Sequence, residues 1–316
     1  MVARVSAAMT ARPEFFIAGA AKCGTTAVAE YLAAHESVFI PRIKEPNFFC
    51  TDLKPTSGVR TLKEYASLFA AAPEGCLSGE ASALYLYSGV AIQRAMEHNP
   101  RAKVITLLRY PVDAAHSLHA SRWNHGHENI RNFEDAWRLQ TVRLAGSHMP
   151  RGWPDPATLQ YGAIYRYAAQ VRRVIECVPE RQRLFLVFEE FFADPRSHYG
   201  RVLEFLSLTP GKPILFPIVN SATGPRSHRL DQLLREPPRW LSTLYRPLRP
   251  LLRAAGFSPA GAARSLNSVV RPKVPLRPAF RTELDRFFAD DVAELERLLQ
   301  RPLWRETAPM RDGATN

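Results

Sequence analysis

Cysteine is scarce in this chain, and the four present, Cys23, Cys50, Cys76 and Cys177, stand too far apart to form a paired motif. That spacing argues against a disulfide-stapled scaffold and against a thiolate zinc site, so a reducing, cytoplasmic setting is the simplest expectation. Histidines and carboxylates add no cluster with metal-ligand spacing, and no metal is expected. Long apolar runs are missing as well; none approaches the roughly 20 residues of a membrane-spanning helix. Met1 to Arg12 is alanine-rich and weakly basic, without the apolar core of a signal peptide. Acidic residues are outnumbered, 30 against 42 lysines and arginines, for a formal net charge of +12. No internal repeat and no convincing linker divides the sequence. The expected organisation is a flexible segment at 1–13, one domain over 14–305 and a tail at 306–316.

What the chain does contain is concentrated first in Phe15-Phe16-Ile17-Ala18-Gly19-Ala20-Ala21-Lys22-Cys23-Gly24-Thr25-Thr26. This reads as an apolar strand, a glycine-bounded loop and a helix start. Val28, Tyr31, Leu32 and His35 at i, i+3, i+4 and i+7 give that helix a face to pack on the strand. Converging loop amides and the positive end of the helix make an anion site. The gap between Gly19 and Gly24 is that of a phosphate-binding P-loop, yet Thr25 stands at the P-loop lysine position and Lys22 lies inside the loop. A cation placed there could neutralise a phosphate bridging oxygen; an ordinary tight turn with a chance lysine is the bland alternative.

Lys103 to Arg109 reads as a second buried strand ending in an arginine; Tyr110-Pro111 breaks it, and Pro111 stands near the first turn of the helix that follows. Arg109 then sits at the carboxyl edge of a sheet, where ligands bind in open α/β folds, and Ser117 lies about two helical turns beyond. An arginine fork and a hydroxyl can hold a second phosphate. The remaining pattern alternates strands near 37–40, 76–80 and 183–188 with helices near 61–71, 88–98, 132–146, 157–177 and 197–206. That order predicts an α/β, P-loop-NTPase-like three-layer fold, a mainly parallel sheet covered by helices on both faces.

With both anion sites in place, the chain resembles the sulfotransferases that use 3′-phosphoadenosine 5′-phosphosulfate (PAPS), most closely a bacterial branch related to heparan sulfate and other Golgi carbohydrate enzymes. The resemblance runs through the 16–26 loop, Pro41-Arg42-Ile43-Lys44-Glu45-Pro46-Asn47-Phe48-Phe49, Gly79-Glu80-Ala81-Ser82-Ala83-Leu84-Tyr85-Leu86, Leu108 to Ser117, and Val187 to Pro195. It implies that Lys22, Cys23, Gly24, Thr25 and Thr26 cradle the 5′-phosphosulfate and that Arg109 and Ser117 hold the 3′-phosphate. It further implies Glu80 as general base and Lys44 near the sulfuryl group, with 3′-phosphoadenosine 5′-phosphate (PAP) as product. Ala81 and Ala83 depart from the lysine and proline that relatives carry, both on the acceptor side.

The chemistry asks for in-line oxygens, a route for the acceptor proton and stabilisation of the leaving phosphate. Lysines and loop amides can meet the last need, and the Lys103–Arg109 strand ends in a cation where a Walker-B aspartate would stand. The expected acceptor is a hydroxyl or amine of a carbohydrate, glycolipid or small natural product. A small-molecule kinase and a non-catalytic nucleotide- or glycan-binding protein are the alternatives. Glu80 also reads as a helix-capping carboxylate and Lys44 as part of a solvated turn. His119, Trp123, His125 and His127 form a candidate acceptor rim, and His116 and His119 read as structural or substrate-facing. From Arg226 to Lys273, nine arginines and one lysine face only Asp231 and Glu236, a net of +8. That stretch reads as a lid over an anionic cofactor, with Arg226 on the cofactor side, as a patch for anionic membranes or glycans, or as a solvated face; nucleic acid ranks last.

Overall fold

The computed structural model describes residues 12–54, 59–150, 155–212, 214–217, 223–225, 268–270 and 274–304. The expected segments 1–13 (apart from its last two residues) and 306–316 lie outside them, as do Arg226 and nearly all of the basic stretch 226–273. In chain order the elements are β1 (Phe15–Ile17), α1 (Thr25–Ala33), β2 (Val38–Phe39), α2 (Leu62–Ser67), β3 (Leu77–Ala81), α3 (Ala91–His98), β4 (Lys103–Leu108) and α4 (Pro111–Asn124). They continue with α5 (Phe133–Arg138), α6 (Gln140–Leu144), α7 (Tyr161–Ile164), α8 (Tyr167–Cys177), β5 (Arg183–Val187), α9 (Phe188–Ala193) and α10 (Pro195–Leu206). A short antiparallel pair, β6 (Thr223–Pro225) and β7 (Ser268–Val270), and the terminal helix α11 (Pro278–Leu299) complete the described chain.

The main sheet has the order β2-β3-β1-β4-β5, every pair parallel, with helices flanking it. β1 is its centre, and Phe15, Phe16 and Ile17 are buried throughout, as a strand covered on both faces requires. Gly79 on β3 lies opposite Phe15, where an added Cβ would come within 2.1 Å of the Phe15 ring. The chain passes from β1 to β2 and β3 on one side and then crosses to β4 and β5 on the other. The switch point therefore falls at β1, and the crevice beyond its carboxyl end is the natural ligand site. α11 closes the far side, burying Phe280, Leu284, Phe288 and Leu295 against α8 and α4.

Two helices expected as continuous are broken. The 132–146 stretch divides at Leu139 into α5 and α6, and 157–177 divides into a 3₁₀ turn (Pro156–Leu159), α7 and α8. Side-chain amides satisfy the backbone at the second break: Gln170 Nε2 donates to the carbonyls of Ala163, Ile164 and Arg166 at 2.9–3.1 Å, and Gln140 Oε1 accepts the Gly162 N–H at 2.7 Å. Orphaned helix ends are costly when buried, and these glutamines remove the cost. α9, directly after β5, was not expected from the pattern.

A buried ion pair ties this region together. Arg143 donates through Nη1 and Nη2 to both oxygens of Glu128 at 2.7 and 2.5 Å, and Tyr161 Oη donates to the same carboxylate at 2.6 Å. Burial by itself pushes the Glu128 carboxyl up, but the Arg143 and Tyr161 hydrogen bonds outweigh it and hold the group below its ordinary value. A lowered carboxyl stabilises the fold above its unfolded-state pKa, and that stability is lost as pH falls through the folded value. Glu128→Gln should destabilise the protein by about 3–5 kcal/mol by stranding Arg143. Urea unfolding at several pH values should show the variant losing less stability than the parent below pH 4.5, the ordinary carboxyl value.

Candidate active site

The loop after β1 is shaped by backbone demands that few residues meet. Gly19 and Gly24 have φ of 140° and 90°, and Lys22 itself is left-handed at 63°. A Cβ on Gly19 would lie 2.7 Å from Leu86 Cβ and 2.8 Å from the Ala83 carbonyl, so side chains are excluded there sterically as well. The first helical bond runs from Val28 N–H to the Gly24 carbonyl at 3.1 Å. The amides of Gly24 through Ala27 thus emerge unpaired within the helix at its positive end. Thr25, the first residue of α1, is buried.

Cys23 does not face the loop opening. Its N–H donates to the Ala20 carbonyl at 3.2 Å, and its Sγ lies 3.5 Å from Tyr167 Oη behind the loop. Burial pushes the thiol up to about 12. Its place is the back of the cradle, a correction to the expectation that it contacts cofactor.

Arg109 follows β4 at the same sheet edge. Its guanidinium lies over the Phe188 ring at 4.2 Å and donates from Nη1 to the Lys22 carbonyl at 3.3 Å, while the buried Nε has no hydrogen-bond partner. Ser117 is 7% exposed on α4. Burial lowers the Lys22 ammonium from its ordinary value; Glu45 opposes this, and Lys44 and Arg109 lower it further. Three cations therefore crowd the mouth of the loop, and an orphaned guanidinium N–H lies among them. Such a cradle fits an anion with more than one phosphate.

Lys44 donates to Thr26 Oγ1, which holds it at the start of α1. Glu45 lies beside it, 3.6 Å between Nζ and Oε1, with its carboxylate side chain 40% exposed. Glu45 N–H donates to the Ala81 carbonyl at 3.0 Å, fixing that residue over the end of β3. Glu45 belongs to the 41–49 motif that carries the resemblance, which by itself assigns it no role. A carboxylate adjoining the lysine already placed near the sulfuryl group was the available signal.

Glu80 occupies a different position from the one expected. It is 1% exposed, and its two oxygens accept from Tyr65 Oη at 3.0 Å and Ser82 Oγ at 3.1 Å. Phe16 is its register partner on β1, and the Tyr65 and Tyr85 rings beside it pack on Phe49. Burial pushes its carboxyl up to about 7, and the nearby Tyr85, Tyr65 and Ser82 hydroxyls pull it partly back. A general base has to touch the acceptor proton, and a carboxylate enclosed in this way does not. It anchors the site instead: Ser82 Oγ accepts the Asn47 N–H at 3.0 Å, and Asn47 Nδ2 donates to the Glu45 carbonyl at 3.1 Å.

The expected acceptor rim is only partly assembled. His119 is buried, with Nε2 2.9 Å from the Ile130 carbonyl, and burial lowers its pKa. His116 stacks on Phe133 at 5.5 Å. Both histidines and Trp123 line a cavity of about 410 Å³ with Arg131, Phe133 and Arg277, whereas His125 and His127 stack on each other outside that lining. Among the described residues, no group of histidine, cysteine or carboxylate side chains could hold a metal ion, and no helix is long and apolar enough to cross a membrane.

Comparison with known proteins agrees with this fold. A sulfotransferase from Alicyclobacillus acidocaldarius superposes with a TM-score of 0.67 at 27% identity, covering 94% of this chain and all of that one. The mouse bifunctional heparan sulfate N-deacetylase/N-sulfotransferase 4 is 29% identical over 205 residues, 63% of this chain. The human heparan sulfate glucosamine 3-O-sulfotransferase 3B1 is 28% identical over 254 residues, 74% of this chain. The chain spans 22% of the first of these relatives and 61% of the second. The model of the sulfotransferase domain matches residues 12–223, and the chain belongs to that family, transferases of sulfo groups whose donor is PAPS.

Proposed function

We propose that this protein transfers the sulfuryl group of PAPS to a hydroxyl or amine of a carbohydrate or related small acceptor, with Glu45 as the acceptor-side base. One observation carries the reading: Lys22, Lys44 and Arg109 converge on one loop at the carboxyl edge of β1, and Glu45 stands among them exposed to solvent. PAPS supplies an activated sulfuryl group on a phosphate leaving group. Lys22 and the amides of the first α1 turn stabilise negative charge on the 5′-phosphate, and Lys44 covers the sulfuryl side. Arg109 and Ser117 hold the 3′-phosphate. Glu45 takes the acceptor proton at its carboxylate, and Glu80, through Ser82 and Asn47, keeps the Glu45 turn in place.

Two of the relatives, both heparan sulfate enzymes, and the net charge of +12 support an anionic glycan as acceptor. Four free cysteines are consistent with a cytoplasmic setting, which belongs to the proposal. The basic 226–273 stretch, as cofactor lid or contact with an anionic membrane, stays a proposal drawn from sequence.

PAP should raise the melting temperature clearly in a thermal-shift assay, and Mg-ATP should not; stabilisation by ATP alone would favour a kinase. Arg109→Ala should weaken PAP by about 1.5–3 kcal/mol, the scale of hydrogen bonds to charged groups. Adenosine 5′-phosphosulfate, which has no 3′-phosphate, should lose much less, and equal losses would move Arg109 off the 3′-phosphate.

The two carboxylates separate cleanly. Glu45→Gln should cut kcat by roughly 10²–10⁴ with PAP affinity intact, the usual contribution of a positioned base. Glu80→Gln should cost less than about tenfold in kcat on the same view, since its effect passes through the Glu45 turn. Glu80 also leaves a pH signature. A carboxyl raised to about 7 from 4.5 stabilises the fold fully below its unfolded value, and that stability is lost as pH rises through 7. Melting curves should therefore show Glu80→Gln gaining on the parent between pH 5 and 8; a reversed kcat ranking of the two variants would return the base to Glu80.

A further inference from the structure

The back of the loop holds a set of contacts that the transfer chemistry above does not use. Tyr165 and Tyr167, 0% exposed and packed edge to face at 5.8 Å, rise from the break between α7 and α8. Tyr165 Oη donates to the Ala21 carbonyl at 2.9 Å. The same carbonyl lies 3.4 Å from Cys23 Sγ, which Tyr167 Oη reaches at 3.5 Å. Arg109 caps the next carbonyl, that of Lys22.

In a planar trans peptide the C=O and the following N–H point in opposite directions. A donor that fixes the Ala21 carbonyl at the back of the loop therefore turns the Lys22 N–H toward the front. Were that peptide free to rotate, a carbonyl oxygen could face the anion and oppose it. We infer that Tyr165 is a positioning residue for the sulfuryl transfer: its hydroxyl sets the orientation of the Ala21–Lys22 peptide, so that an amide donor rather than a carbonyl meets the 5′-phosphosulfate. Tyr167 supports the same peptide through Cys23. The helix break has a purpose on this view, because a continuous helix over 161–177 would give Tyr165 helical backbone in place of the turn that delivers it to Ala21. Gln170 makes the break affordable by covering three of its carbonyls.

This role rests on the PAPS reading, and the test keeps the two apart. Tyr165→Phe removes one hydroxyl and leaves the ring. Affinities are measured for adenosine 5′-phosphosulfate, which engages the loop, and for adenosine 3′-phosphate, which engages Arg109 and Ser117. The variant should bind the 5′ ligand roughly tenfold more weakly, as expected when a buried carbonyl loses its donor, with the 3′ ligand changed by less than about twofold. At saturating PAPS its kcat should fall by a similar factor.

Tyr87→Phe is the control, since it deletes a comparable hydroxyl-to-carbonyl bond, to Ala157 at 3.0 Å, away from the loop. It should show neither effect. Tyr167→Phe provides a second arm and should give the same selective loss at smaller size. Equal losses for the two ligands, or no selective loss in whichever tyrosine variant folds, overturn the positioning role. Failure of the unmutated protein to bind PAP would sink the cofactor reading itself, and this role with it.

Discussion

Everything at the site depends on β1 being locked at the centre of a parallel sheet. Beyond its last residue the chain stays paired on both sides: Ala18 N–H donates to Ile105 and Ala20 N–H to Leu107, while Leu86 and Leu107 N–H donate back to Ala18 and Gly19, at 2.6–2.9 Å. The loop that follows therefore starts from a fixed point, squeezed between β3 and β4. Its left-handed residues and bare glycines follow from that confinement, because the turn must reverse into α1 within a few residues and without room for a Cβ at Gly19. A floppy start would scatter the loop amides and lose the preorganisation on which electrostatic stabilisation relies.

The cations and carboxylates arrange themselves around that fixed loop by three separate routes. Arg109 comes from the neighbouring strand, Lys44 reaches over from the turn after β2, and Glu45 is tied to the end of β3 through the Ala81 carbonyl. Beneath the turn, the buried line Glu80–Ser82–Asn47 supplies rigidity. A carboxylate sealed among aromatic rings is a costly support, and its raised pKa expresses that cost. On the proposed reading, the half-exposed carboxylate of Glu45 on that turn is the one that meets the acceptor. In that proposal two acidic residues divide between positioning and chemistry according to their burial.

Much of this was legible in the sequence. The apolar runs at 14–19 and 103–109, the glycine-bounded loop and Pro111 marked the central strand, the loop after it and the sheet edge that carries Arg109, because each signal is local. The burial of Glu80 was not legible, since it depends on tyrosines brought from 65 and 85. Nor were the tyrosines behind the loop: Tyr165 lies 144 residues from Ala21, and nothing in its neighbourhood marks it. The helix breaks were hidden for a related reason, as their carbonyls are satisfied by glutamine side chains rather than by a proline or glycine that would announce an end.

The central claim is that this cradle transfers a sulfuryl group using its own lysines, amides and carboxylate. Incubating the protein with sulfur-labelled PAPS and a desulfated heparan-type glycan, in the presence of a metal chelator, tests it most directly. Label should appear on the glycan in equal amount to the PAP released, undiminished by the chelator. Phosphate transferred from Mg-ATP in place of sulfate from PAPS, or PAPS bound but never turned over with any hydroxyl or amine acceptor, would contradict it.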